Sequence, residues 1–300
     1  MTPELRQLRY FLVVAEELSF TRAAARLRIA QQSLSQQIAA VERALGARLF
    51  DRDTRGTRLT RVGALFVPEA QAVVTRADEA VAAIAKAIRG ESGTVRLAFL
   101  TTAANHLLPA VVRAAREHLP DVELTTEEIT IAPLVDGIRT GRFDVGFART
   151  PRVDGLATRT VVTEPICAVL PVGHPLADRT ELVLADLADE NWVLTSPDSW
   201  EPWHRVYAEN FRAAGFTPNV VQRAAGVQGL LGLVAAGVGV THLALSSRDL
   251  RRSGVVFVPM AGQTTDTEMV WLPDNTDPAV RRLLDVVTEL AATTDLTATG

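Results

Sequence analysis

The feature that most restricts this chain is a run of seven apolar residues, Val67, Ala70, Val74, Ala77, Val81, Ile84 and Ile88, set three and four apart in alternation. That spacing places all of them on one narrow stripe of an α-helix. The predicted helix covers about 29 residues, Arg61–Arg89, with Thr60 as its cap and Gly90 at its end. Pro68 lies inside it and removes one backbone donor, so a kink is expected near its start. Ala70 and Ala77 keep the stripe narrow, which suits packing against a second copy. The expectation is a homodimer through Val67, Val74, Val81, Ile84 and Ile88. A helix lying on its own domain gives the same spacing.

This helix separates two stretches of different character. Residues 1–61 hold 11 Arg against 6 Asp and Glu, a net of +5, while the whole chain carries −4. A basic head on an acidic body is the charge footprint of a nucleic-acid-binding domain. Within the head, Leu5, Leu8, Phe11, Leu12, Ala15 and Leu18 recur at helical spacing. Thr21 is expected to cap a second helix running through Ala23–Leu27, with Phe20 stapled against Ala25. After a turn at Arg28–Ala30, a third helix carries the inward stripe Leu34, Ile38, Val41 and Leu45, and Gly46 stops it. Strands at Leu49–Arg52 and Arg58–Thr60 then enclose Asp53-Thr54-Arg55-Gly56, forming a hairpin or wing.

The third helix carries the chemistry. At 100° per residue, the side opposite its apolar stripe holds Gln32, Gln36, Ala39, Ala40 and Arg43, with Ser33 and Ser35 on the flanks. Glutamine pairs bidentately with adenine in the major groove, serine bonds base or phosphate, and alanine lets the backbone approach. Arg55, beside Gly56 at the wing tip, suits a minor groove. Arg52 and Arg58 flank it as candidate phosphate contacts. One such head makes few phosphate contacts, whereas two on a pseudo-palindromic duplex read more sequence.

From Val95 the pattern alternates strands with helices. Strands are predicted at Val95–Phe99, Val122–Glu127 and Asp144–Ala148, with helices near Leu107–His118 and Ala132–Thr140, an order that implies a parallel sheet. A second set follows, with strands near Ile166–Leu170, Trp192–Leu194, Val220–Arg223, Val238–His242 and Val255–Val258 and helices near Trp203–Ala214 and Val227–Ala236. A strand at Glu268–Leu272 and a helix at Pro278–Leu290 close the chain, and Gly90 to Gly93 reads as a hinge.

The run Arg6-Gln7-Leu8-Arg9-Tyr10-Phe11, then Ala15-Glu16-Glu17-Leu18-Ser19-Phe20-Thr21-Arg22-Ala23-Ala24, Ile29-Ala30-Gln31 and Leu34-Ser35-Gln36-Gln37-Ile38 resembles the LysR-type transcriptional regulators. Glu42, Leu45-Gly46, Leu49-Phe50, Arg52, Leu59-Thr60 and Gly63 extend the likeness, which is dense over residues 4–68 and looser over 91–300. The resemblance implies a multidomain α/β protein. Residues 1–60 would form a winged helix-turn-helix and residues 61–90 a linker and dimerisation helix. Residues 91–300 would form a two-lobed effector domain like periplasmic binding proteins, with lobe I at about 91–163 and 267–300 and lobe II at about 164–266. It maps DNA contacts onto Gln31, Gln32, Ser33, Ser35, Gln36 and Arg55, and implies dimers that pair into tetramers, with RNA polymerase as a candidate contact.

Ligands of two-lobed α/β domains bind between the lobes, at strand ends and helix starts. Thr101-Thr102-Ala103-Ala104-Asn105, read as a loop, Ile129-Thr130-Ile131, and Trp200-Glu201-Pro202-Trp203 fit that description, and Arg149 supplies a positive charge at a strand end. The resemblance aligns Thr102, Arg149 and Trp203 with effector contacts, with Ile131 where a hydroxyl residue is common. Gln228, in Gly226-Val227-Gln228-Gly229, is a further candidate. The expected co-inducer is an organic acid. No cofactor, metal site or catalytic constellation is expected: the five histidines are scattered and no P-loop, zinc motif or nucleophile elbow is present. The lone Cys167 sits in an apolar run and fits a reducing cytoplasm, and no stretch has the length of a membrane span. A solute-binding protein would share residues 91–300 but would need an export signal, and the polar N-terminus shows no apolar signal core.

Overall fold

The structure is a computed structural model that describes residues 2–53, 56–150 and 153–296. The chain divides into two compact units, Met1–Ala85 and Lys86–Gly300.

The first unit contains α1 (Leu5–Glu17), α2 (Phe20–Leu27), α3 (Gln31–Leu45), the antiparallel hairpin β1 (Phe50–Asp53) and β2 (Gly56–Leu59), and most of α4 (Arg61–Ile88). Its core is built on Phe11, Leu34, Ile38, Val41 and Leu49, all fully buried. Two hydrogen bonds fix the hairpin on α3: the Glu42 carboxylate accepts the amides of Leu49 at 2.8 Å and Phe50 at 3.2 Å. Thr60 caps α4 as expected, its Oγ1 accepting from the Gly63 amide at 2.9 Å.

Several expectations need correction here. The cap of α2 is Ser19, whose Oγ accepts from the Arg22 amide at 3.3 Å, and not Thr21. The helix therefore begins earlier, at Phe20, whose ring turns inward and meets Phe50 edge-on at 5.7 Å while Ala25 stays exposed. Leu45 leaves the inward stripe of α3 and is 39% exposed, because the helix ends there at Gly46. The seam of α4 is split. Val67, Ala70 and Val74 pack into the core of their own unit, with Ala70 1% and Val74 8% exposed. Val81, Ile84 and Ile88 are 71%, 63% and 71% exposed. The first half of the stripe packs on the core of its own unit, with Val74 inside that core and Val67, partly buried, against it.

The second unit contains β3 (Ser92–Phe99), α5 (Thr101–His106), α6 (Leu108–His118), β4 (Asp121–Glu128), α7 (Ile131–Arg139), β5 (Val145–Arg149), β6 (Ala157–Pro171), β7 (Asn191–Thr195), α8 (Glu201–Ala213), β8 (Asn219–Ala224), α9 (Val227–Ala235), β9 (Thr241–Ala244), β10 (Val255–Trp271) and α10 (Pro278–Thr293). A six-stranded sheet has the order β4-β3-β5-β10-β6-β9, and β7 pairs with β8 in a separate parallel pair. Strands β4, β3 and β5 are parallel, as the alternating pattern predicts, while β10 runs antiparallel to both β5 and β6. Side-chain alternation gives each lobe two core layers. In β3, Leu97 and Phe99 face one layer and Ala98 the other; in β6, Ala168 and Leu170 face one and Val169 the other.

The largest difference from the sequence reading lies in β6 and β10. Ile166–Leu170 is the end of a fifteen-residue strand. Val255–Val258 and Glu268–Leu272 belong mostly to one strand, Val255–Trp271, whose ladder with β6 shifts register between Pro259 and Thr264. These two strands carry the chain across both lobes. Thr101–Asn105 lies in a helix, α5, and not in a loop. Ser92 and Gly93 belong to β3, so the segment after α4 is not a free hinge; a Cβ on Gly90, at φ 68°, would lie 2.2 Å from the Pro278 carbonyl oxygen. Cys167 is fully buried in β6, and burial pushes its thiol up to about 11, which leaves it protonated.

Candidate functional site

In the first unit, α3 presents Gln31, Gln32, Ser33, Gln36 and Arg43 to solvent, with Ser35 half-buried beside them. Ala30 occupies the N-cap without a side-chain bond, so the first amides of α3 have no capping acceptor. Gln31 is partly committed: its Oε1 accepts from Thr21 Oγ1 at 3.1 Å. Gln32, Ser33 and Gln36 have no such tie among the described residues and form an amide-and-hydroxyl face. Arg52 stacks over the Phe20 ring with its guanidinium carbon 3.8 Å from the centroid, which orients it from β1. Arg58 is exposed on β2, and Arg55 lies outside the described residues. Arg28, in the αL turn between α2 and α3, and Arg48 are further exposed cations that helical periodicity did not single out.

In the second unit, a cavity of about 210 Å³ opens between the lobes. One wall comes from the C-terminal ends of β3, β4 and β5, where parallel strands deliver chain to helix starts. Thr101, Thr102, Thr130, Ile131 and Arg149 line it there, and Trp203 lines it from α8. Gln228 does not: it is exposed on α9, and Val227 and Leu230, one helical turn apart, face the cavity instead. Apolar residues make up most of the wall, Leu100, Ile129 and Leu194 among them.

The polar groups of the cavity are held in three ways. The Trp203 indole donates to the carbonyls of Arg149 at 3.2 Å and Thr150 at 3.0 Å, which pins α8 to the end of β5. Arg149 itself has no carboxylate partner among the described residues. Around it stand Tyr207, one turn beyond Trp203, and His242 on β9, with ring centroids 4.8 Å apart. Burial pushes the Tyr207 hydroxyl up, opposed by the nearby Arg149 charge. Burial, reinforced by Arg149 and then His204, pushes His242 down to about 4, so its ring is neutral near pH 7. Sequence reading missed Tyr207, Thr241 and His242. Their only signal was a polar pair at the end of an apolar run, and the structure moves that run to Thr241–Ala244.

One unit with an exposed amide face on a helix-turn-helix and another, two-lobed, with a cavity between its lobes define a regulator that reads DNA and responds to a small molecule. Comparison with known proteins agrees. Residues 5–64 match the model of the bacterial regulatory helix-turn-helix protein, lysR family, and residues 89–292 match the LysR substrate binding domain. The chain belongs to the LysR family of transcriptional regulators. It is 36% identical over 278 residues, 91% of this chain and 92% of the relative, to the uncharacterized HTH-type transcriptional regulator YnfL of Escherichia coli. It is 31% identical to the HTH-type transcriptional regulator AlsR of Bacillus subtilis, over 94% of this chain and 95% of that one. Among solved structures, full-length CbnR in complex with its target DNA superposes with a TM-score of 0.80 at 25% identity, covering 96% of this chain and 99% of that one. The relatives are named regulators, not enzymes, and among the described residues no helix is long and apolar enough to cross a membrane.

Proposed function

We propose that this regulator reads a pseudo-palindromic operator through α3 and alters its grip on DNA when a small organic anion enters the inter-lobe cavity. Gln32, Ser33 and Gln36 meet base edges, with Gln31 and Ser35 at the border. Arg43, Arg52 and Arg58 meet phosphates, and Arg55 enters the minor groove. Two chains pair through Val81, Ile84 and Ile88, the exposed half of the α4 stripe, and dimers build further into tetramers as the resemblance implies. The setting is the cytoplasm, and RNA polymerase is the further protein contact.

The observation that carries the anionic effector is Arg149. A half-buried guanidinium on a mostly apolar cavity, without a carboxylate partner among the described residues, is a charge that an entering anion would pair. Thr101, Thr102 and Thr130 add hydroxyls on the same wall. Arg149→Ala is expected to abolish the shift in DNA affinity caused by an acid that acts on the wild-type chain, while leaving effector-free DNA binding unchanged. Fluorescence anisotropy on a duplex selected from a random pool measures both, and a variant that still responds removes Arg149 from the site.

A further inference from the structure

On the lobe II side of the cavity, two buried polar side chains lack partners. Thr241 is fully buried with Oγ1 unpaired, and both ring nitrogens of His242 are buried and unpaired. The Tyr207 hydroxyl makes no hydrogen bond among the described residues, and all three residues line the cavity. Native proteins pair buried polar atoms almost without exception, so two neighbouring side chains with three such atoms on one wall point to an occupant that supplies the missing bonds. The carboxylate assigned to Arg149 is not enough. A neutral imidazole offers one donor and one acceptor, and each hydroxyl offers both. A second carboxylate only accepts, which leaves the imidazole acceptor unanswered, and it would bring a further charge beside a ring kept neutral. An apolar end would leave every one of these atoms unpaired. A hydroxyl both donates and accepts and fits this wall.

Resting on the anionic reading of the same cavity, we propose that its effector is a small hydroxy-carboxylic acid: the carboxylate on Arg149, an apolar body against Leu100, Ile131 and Leu230, and a hydroxyl on Thr241 and His242, with Tyr207 beside them. Sequence motifs do not contain this selectivity, because Thr241 and His242 come from β9 and Tyr207 from α8, brought together only in the folded lobe.

The test is calorimetric titration of the full-length chain at neutral pH with matched acids. The probes are benzoate and its three monohydroxy isomers, and 3-methylbutanoate with its 2-hydroxy and 3-hydroxy forms, together with the primary amides of the hydroxylated members. At least one hydroxylated acid is expected to bind about tenfold tighter than its parent. In the Thr241→Val, His242→Phe double variant that ratio is expected to fall to about twofold or less. Should the double variant not fold, Thr241→Val and Tyr207→Phe, each lacking a single hydroxyl, are read the same way. Parent acids that match or exceed their hydroxylated forms, a preference that survives the substitutions, or a panel in which nothing binds would each overturn the proposal. Ordered water alone satisfying the wall gives the first of these results. An amide that binds as well as its acid sinks the Arg149 assignment and leaves the hydroxyl preference standing.

Discussion

Arg149 and His242 lie close together in the cavity, and opposite physics governs them. The guanidinium is the group that the proposed effector carboxylate would meet, whereas the histidine loses its charge to burial. The second has a consequence for stability. An ordinary histidine titrates near 6.5, whereas folded His242 does so at about 4. Between those values the unfolded chain holds more protons than the folded one, so stability is complete above about pH 6.5 and declines as pH falls toward about 4. The ceiling on this loss is about 3 kcal/mol. Urea titrations near neutral pH and near pH 4.5 are expected to show a smaller acid loss in His242→Phe than in the wild-type chain; equal losses would place the acid sensitivity elsewhere. At this scale the lobe I residues were legible, because Thr101, Thr130 and Arg149 sit at strand ends that the alternating pattern locates. Tyr207, Thr241 and His242 were not, because each comes to the cavity through contacts far apart in sequence.

Among the elements, α3 and α4 show what periodicity can and cannot decide. An apolar stripe with an amide face opposite it specifies which side of α3 packs, and Leu34, Ile38 and Val41 are fully buried accordingly. The stripe of α4 has the right spacing throughout, yet spacing cannot say what covers it. Val74 is buried in its own unit and Val81 is not. Val81→Glu with Ile84→Glu is therefore expected to yield folded monomers in sedimentation velocity, whereas Val74→Glu destabilises the head itself. A double variant that still sediments as a dimer would move the interface off this helix. Gly63 is a second constraint on α4: a Cβ there would sit 2.1 Å from the Leu49 carbonyl oxygen. Gly63→Ala must push the start of α4 away from the hairpin, at about 1–3 kcal/mol in head stability by thermal unfolding; an unchanged midpoint would show that the contact yields freely. Strands β6 and β10 were read as fragments because Thr264, Thr265, Asp266 and Thr267 interrupt the apolar signal while the backbone ladder continues through them.

At the scale of the whole molecule, charge and architecture divide the work. The basic first 61 residues hold the face that meets a polyanion, and the acidic remainder holds a cavity suited to a single small molecule. The fold class was legible because the hydrophobic period changes along the chain, from helical in the head to alternating strand and helix in the body. The claim on which the rest depends is that the exposed side of α3 reads base sequence. Its most direct measurement is competition binding of purified chain to a duplex selected from a random pool, at moderate salt, against random duplex. Preference of about a thousandfold or more is expected, with Gln36→Ala costing about 1–3 kcal/mol at the base pairs it meets and altering which bases are preferred there. Equal affinity for selected and random duplex, or a Gln36→Ala chain with unchanged base preferences, would contradict it.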